Sequence, residues 1–170
     1  MKTAILSDIH GNREALSVIL DSIKESGAES IIILGDIIDY GPHSDEVIEM
    51  IKEFPLPLIC NIWGNHESAV MNEEYERFSS ERGRESSLFT RNNLSEKSFS
   101  YIKNEMTNDG IYEFSLGNLK CLAVHGSLKD IYWKAIRPSD DFSTYKEYDY
   151  VFSGHSHFPH FFEIYYDADA

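Results

Sequence analysis

The sequence predicts an α/β fold, and three observations carry that reading. Short runs apolar on both faces alternate with segments of helical period, which suits a parallel sheet covered by crossover helices. The alternation begins at the N-terminus and returns twice within 63 residues. Each apolar run also ends in a cluster of Asp, Asn or His, and in parallel sheets functional groups gather beyond the carboxyl ends of the strands.

The elements follow in order. Lys2 to Ser7 reads as a strand ending at Asp8, and Asn12 to Ser26 as a helix with Leu16, Ile19, Leu20 and Ile23 on one face. Gly27 is the natural stop. Ser30 to Leu34 is a buried strand, Val47, Ile48, Met50 and Ile51 belong to a short helix, and Leu58 to Trp63 is a third strand. Residues 67–108 form a charged helical insert, expected to break near Gly83, with Ser95 capping its second helix and Leu94 stapled to Phe99. Ile111 to Val124 has the pattern of a hairpin turning at Gly117-Asn118. Tyr150 to Ser153 reads as another strand, and Phe161 to Tyr166 as a last one.

Residues 1–170 suffice for one domain with a sizeable core, since 42% are hydrophobic. A net charge of −14 lacks the basic footprint of phosphate-backbone binding and counts against nucleic acid as a partner. Cys60 and Cys121 form no CxxC pair, which points to buried thiols in a reducing compartment. Asp8 comes too early for a signal-peptide core, and no apolar run approaches the ~20 residues that span a bilayer. A soluble cytoplasmic protein is expected, with no membrane contact and its oligomeric state open.

Five of seven histidines, His10, His66, His125, His155 and His157, fall at strand ends or glycine-marked turns. Alone, each is an ordinary loop histidine. With Asp8, Asp36 and Asn65 in the same context they make a site. Imidazole and carboxylate without thiolate suit divalent Mn, Fe, Co, Ni or Zn and argue against a structural zinc knot. Two such ions sharing a carboxylate sit ~3.5–4 Å apart and clamp an oxygen between them. Against two aspartates they leave a charge of about +2, which attracts phosphate and acidifies a bridging water to hydroxide.

The order of the motifs resembles the five blocks of the calcineurin-like metallophosphoesterases. They are Asp8-Ile9-His10-Gly11-Asn12, Gly35-Asp36-Ile37-Ile38-Asp39, Gly64-Asn65-His66-Glu67, Val124-His125-Gly126 and Gly154-His155-Ser156-His157. The resemblance implies a four-layer α/β/β/α sandwich with a helical insert and a two-metal site. It places Asp8, His10 and His157 on one metal, Asp36 between both, and Asn65, His125 and His155 on the other, with manganese favoured. His66 would assist the leaving oxygen as the catalytic histidine, and Asp39 would orient it or simply serve a turn.

Tyr40 and Trp63 stand where the protein-phosphatase and diadenosine-tetraphosphatase branches carry arginines. A small phosphodiesterase-type member, acting on a small-molecule phosphodiester or phosphomonoester, is therefore favoured over those branches, and the presence of His66 with every expected ligand favours an enzyme over a noncatalytic scaffold on the same fold. Arg91, Lys129 and Arg137 are the expected cations of the substrate rim. More strands normally follow the last block in this family, so the chain is expected to be a fragment or to have a small second sheet.

Overall fold

The computed structural model describes residues 2–166. In its first sheet β1 (Thr3–Leu6), β2 (Ser30–Ile33) and β3 (Leu58–Asn61) run parallel in sequence order. Central β2 is buried along its whole length, as its three isoleucines require. α1 (Arg13–Ser26) and α2 (Ser44–Glu53) make the crossovers. Asn12 caps α1 by accepting from the Ala15 N–H, and left-handed Gly27 ends it.

Because the strand order steps one way, crossovers of a single hand put both helices on one face of the sheet. Leu16, Leu20 and Ile23 of α1 accordingly join Val47, Ile48 and Ile51 of α2 over Ile31 and Ile33. Ile32 points to the opposite face and packs with Cys60, Ile62 and Ala123.

That opposite face receives the second sheet. β4 (Ile111–Leu116) and β5 (Leu119–Val124) form the antiparallel hairpin, and β6 (Tyr150–Ser153) pairs parallel to β5. Ala123 and Phe152 face the first sheet. Leu122 and Val124 face outward, where Ile136 and Tyr145 of the 126–149 segment cover them. This outer cluster contains no α-helical residue, only a 3-10 turn at Ser143–Tyr145 among its loops.

Across the expected insert lie α3 (Asn65–Asn72), which starts two residues before it, α4 (Glu81–Asn93) and α5 (Glu96–Asn104), completing five α-helices among the described residues. Its break differs from the expected one. Gly83 lies in the first turn of α4, its N–H donating to the Ser80 cap, while the chain breaks between Glu73 and Ser80. A side chain at residue 83 would crowd Phe78, so the glycine serves packing rather than helix termination. Ser95 does cap α5, accepting from the Ser98 N–H.

Residues 161–166 form no strand. Phe162 instead packs into the outer cluster, and the Tyr166 hydroxyl donates to the Phe142 carbonyl. The partly buried Phe162 ring and the Tyr166 hydroxyl hold this segment to the 142–145 turn, while Phe161 and Tyr165 stay exposed. No helix among the described residues is long and apolar enough to cross a membrane.

Candidate metal centre

Five strands of the two sheets, β1, β2, β3, β5 and β6, run at their carboxyl ends into loops that carry site residues. Backbone hydrogen bonds tie these loops together: Asp8 N–H donates to Gly35 O, His10 N–H to Asp36 O, and Gly154 N–H to His125 O. Asp8, His10, Asp36, Asp39, Tyr40, His155 and His157 all have left-handed backbones, with φ from 51° to 72°. Outside the site, Glu73 is the one other described non-glycine residue with this conformation. Asp and His tolerate the region better than most residues, and such strain persists where the surroundings over-determine the backbone. Close approach also matters. A Cβ on Gly64 would collide with the Asp36 carboxylate, so only glycine fits there.

Two groups of potential ligand atoms result, each gathered within 4.8 Å: Asp8, His10, Asp36 and His157, and Asp36, His125 and His155. Asp36 belongs to both. Asn65 joins the second group, its Oδ1 lying 3.0 Å from His125 Nε2 and 3.0 Å from His155 Nδ1.

The imidazole tautomers make the case for cations. His10 Nδ1 faces the Ile38 carbonyl at 3.3 Å, His125 Nδ1 the Leu34 carbonyl at 2.7 Å, and the His155 ring bonds the Trp133 carbonyl. An N–H donated to each carbonyl leaves the inner nitrogen of the ring as a lone pair. Those lone pairs meet other acceptors: His125 Nε2 lies 3.3 Å and His10 Nε2 3.8 Å from an Asp36 oxygen, and His155 Nδ1 lies 3.0 Å from Asn65 Oδ1. Acceptors converging on acceptors require a proton or a metal ion between them. The donor set fits two divalent transition-metal ions.

Electrostatics agree. Burial opposes ionisation of Asp36, yet His125, His66 and His10 hold its carboxyl far below the usual range. Burial likewise disfavours protonated His125, but the Asp36 carboxylate overrides it and pushes the imidazole up to about 9. The centre draws positive charge. The thiols stand apart: Cys60 packs between the sheets, where burial pushes its pKa up to about 12.

His66 sits beside this centre with Nδ1 2.7 Å from Asp39 Oδ2. Burial opposes protonation of His66, but Asp36 and then Asp39 raise its pKa above the ordinary value. Asp39 is itself fully buried, so it is no surface turn residue. Its other oxygen accepts from the Tyr40 N–H and from the hydroxyls of Ser86 and Thr90 on α4. Glu67, one turn into α3, accepts from four backbone N–H groups, those of Gly64, Asp36, Ile37 and Ile38. It thereby locks the Asp36 loop to the start of α3.

The sequence reading assigned no role to Glu67, Ser86 or Thr90. A Glu three residues after Gly64 is the half-signature of a capping box, and hydroxyls at 86 and 90 share a helix face. Those signals existed, but not the partner across the fold.

Beside the centre lies a cleft of about 660 Å³, lined by Tyr40, His66, Phe78 and Trp133 as well as Asp36, Asn65, His155 and His157. None of the three expected rim cations lines it. Arg91 lies over the Phe99 ring and near Glu73, Lys129 pairs loosely with Asp140, and the Arg137 backbone N–H donates to Asp140. Charge alone does not show which face a side chain joins. Arg77, from the turn after α3, is the Lys or Arg that does line the cleft. Trp63 faces away, donating its indole N–H to the Ile102 carbonyl, whereas Tyr40 places its ring 4.4 Å from His66.

The chain is 31% identical over 160 residues to an uncharacterized protein of Methanocaldococcus jannaschii, MJ0912, covering 92% of this chain and 62% of that one. It is 41% identical over 78 residues to the phosphodiesterase YfcE of Escherichia coli, covering 41% of this chain and 42% of that one. The chain thus spans about three-fifths or less of these curated relatives. A metallophosphoesterase from Sphaerobacter thermophilus superposes with a TM-score of 0.65 at 26% identity, over 92% of this chain and 60% of that one. The calcineurin-like phosphoesterase family profile matches residues 1–159, nearly the whole chain, and the protein belongs to that family.

Proposed function

We propose that this chain is a phosphodiesterase working with two divalent transition-metal ions, manganese favoured. Asp8, His10 and His157 would hold one ion, Asn65, His125 and His155 the other, and Asp36 both. When bound, such a pair supplies an acidified water and a cationic clamp for phosphoryl oxygens. The observation that carries the reading is the convergence of imidazole lone pairs on Asp36 and Asn65.

The chain's own residues complete the chemistry. Asp39 fixes the His66 ring through Nδ1, leaving Nε2 as the nitrogen that can hold a transferable proton. The Asp39 carboxylate at Nδ1 favours the protonated ring, so His66 gives its Nε2 proton to the departing oxygen of the ester. Tyr40 and Phe78 pack against the same imidazole, with ring centroids 4.4 and 4.9 Å away, and limit water around it. Two buried, unpaired thiols suit a cytoplasmic enzyme, and a cleft of this size suits a small phosphoester.

The test is metal analysis of the purified protein, then turnover of bis-p-nitrophenyl phosphate and p-nitrophenyl phosphate with and without Mn²⁺. Metal-dependent hydrolysis, faster on the diester, is expected. No metal-dependent turnover of either substrate would overturn the proposal.

A further inference from the structure

A line of side chains leads outward from His66 along one wall of the cleft. The Phe78 ring lies 4.9 Å from the His66 ring, the Trp133 ring 5.1 Å from Phe78, and the Arg77 guanidinium 4.9 Å over Trp133. Phe78 is buried, while Arg77 keeps 44% of its side chain exposed. No side-chain hydrogen bond from Arg77 is formed among the described residues. Its charged neighbours, Glu74 and Asp130, stand 3.7 Å away at ion-pair distance. Asp130 is itself anchored, accepting from the Tyr132 and Trp133 N–H groups through its other oxygen. Stacked by its face on the indole, the guanidinium presents an N–H edge on which a planar anion would compete with these two carboxylates, neither of which is within hydrogen-bond distance.

We infer that Arg77 selects substrates whose leaving group carries a second anionic group, with a flat or apolar spacer lying along Phe78. The inference rests on the phosphoesterase reading, which puts the departing oxygen at His66. Two rings, Phe78 and Trp133, separate the cation from His66, so Arg77 reads the far end of the leaving group rather than the scissile phosphate. Arg77 is also the one Lys or Arg among the described residues that line the cleft, in a chain of net charge −14. An anionic tail finds its permanent positive partner there.

The test uses two matched diesters, methyl 4-carboxyphenyl phosphate and its neutral isostere methyl 4-carbamoylphenyl phosphate. The wild-type protein should show a KM roughly tenfold lower for the carboxylate, as a charge-assisted contact of this kind supplies. Arg77→Ala should erase that preference with kcat little changed, and Arg77→Lys should restore part of it. An unchanged preference in Arg77→Ala, or equal losses on both substrates, would overturn the inference. Calorimetric binding of 4-carboxyphenylphosphonate and its carboxamide to the same proteins provides a readout without turnover. Arg77-dependent preference in binding without hydrolysis would sustain the subsite while sinking the enzymatic reading. Hydrolysis without preference would do the reverse.

Discussion

His125 and His157 belong to two halves of one centre, yet the His125 side chain is fully buried and the His157 side chain is half exposed. The buried half is held by elements from both sheets: His125 bonds Leu34 beyond β2, and Asn65 opens α3. The open half depends on the last described turn, where Asp8 accepts from the His155 N–H and His157 leans on His10. Tight enclosure favours retention of an ion, and openness favours exchange. Asp36 belongs to both candidate ligand groups, so it joins two groups of unequal burial.

The strongest break in that comparison is Asp36→Asn. Removing the shared carboxylate should empty both halves and lower kcat by well over the roughly 100-fold typical of an outer-shell change. Metal content measured by mass spectrometry should fall together with turnover; a variant that kept both ions would contradict the shared role.

Next comes His66→Gln, which should keep both ions and lose about 10²–10⁴-fold in rate, the range of a missing proton donor. Equal metal loss in His66→Gln and Asp36→Asn would erase the separation of roles. The pair Ser86→Ala and Thr90→Val sharpens this. Acting through Asp39, it should slow esters with poor alkyl leaving groups by about tenfold while barely touching nitrophenyl esters, which need little protonation. Equal slowing of both would mark a purely structural role for these hydroxyls.

The two halves separate most directly in His125→Ala and His157→Ala. The first leaves Asp36 buried without its principal partner and should lower both thermal stability and metal content. The second should lose the open ion while melting close to wild type. The smallest effect concerns chelation: brief EDTA treatment should remove one equivalent faster than the other. Single-phase loss of both ions would show that the difference in burial does not govern exchange.

Much of this architecture could be read before any coordinates. Ile31, Ile32 and Ile33 announce a strand covered on both faces, and Leu16, Leu20 and Ile23 announce the helix that covers one of them. The strand-end turns that carry the candidate ligands were readable for the same reason, because each block is a contiguous run at the end of a strand. The segment 161–166 was not, because an apolar run becomes a strand only if a partner edge captures it before side-chain packing does. The Gly83 break failed similarly, since Phe78 decides what that glycine is for.

The linear order of residues determined the α/β class, the five polar turns and the ligand chemistry, because these depend on composition and on neighbours a few positions apart. Tertiary structure alone decided that Glu67 holds the Asp36 loop, that Ser86 and Thr90 reach Asp39, and that Arg77 faces the cleft while Arg91 does not. The first three contacts cross 31, 47 and 51 residues of chain. Over such separations a side chain's partner is set by packing of whole elements, and local pattern holds no record of it.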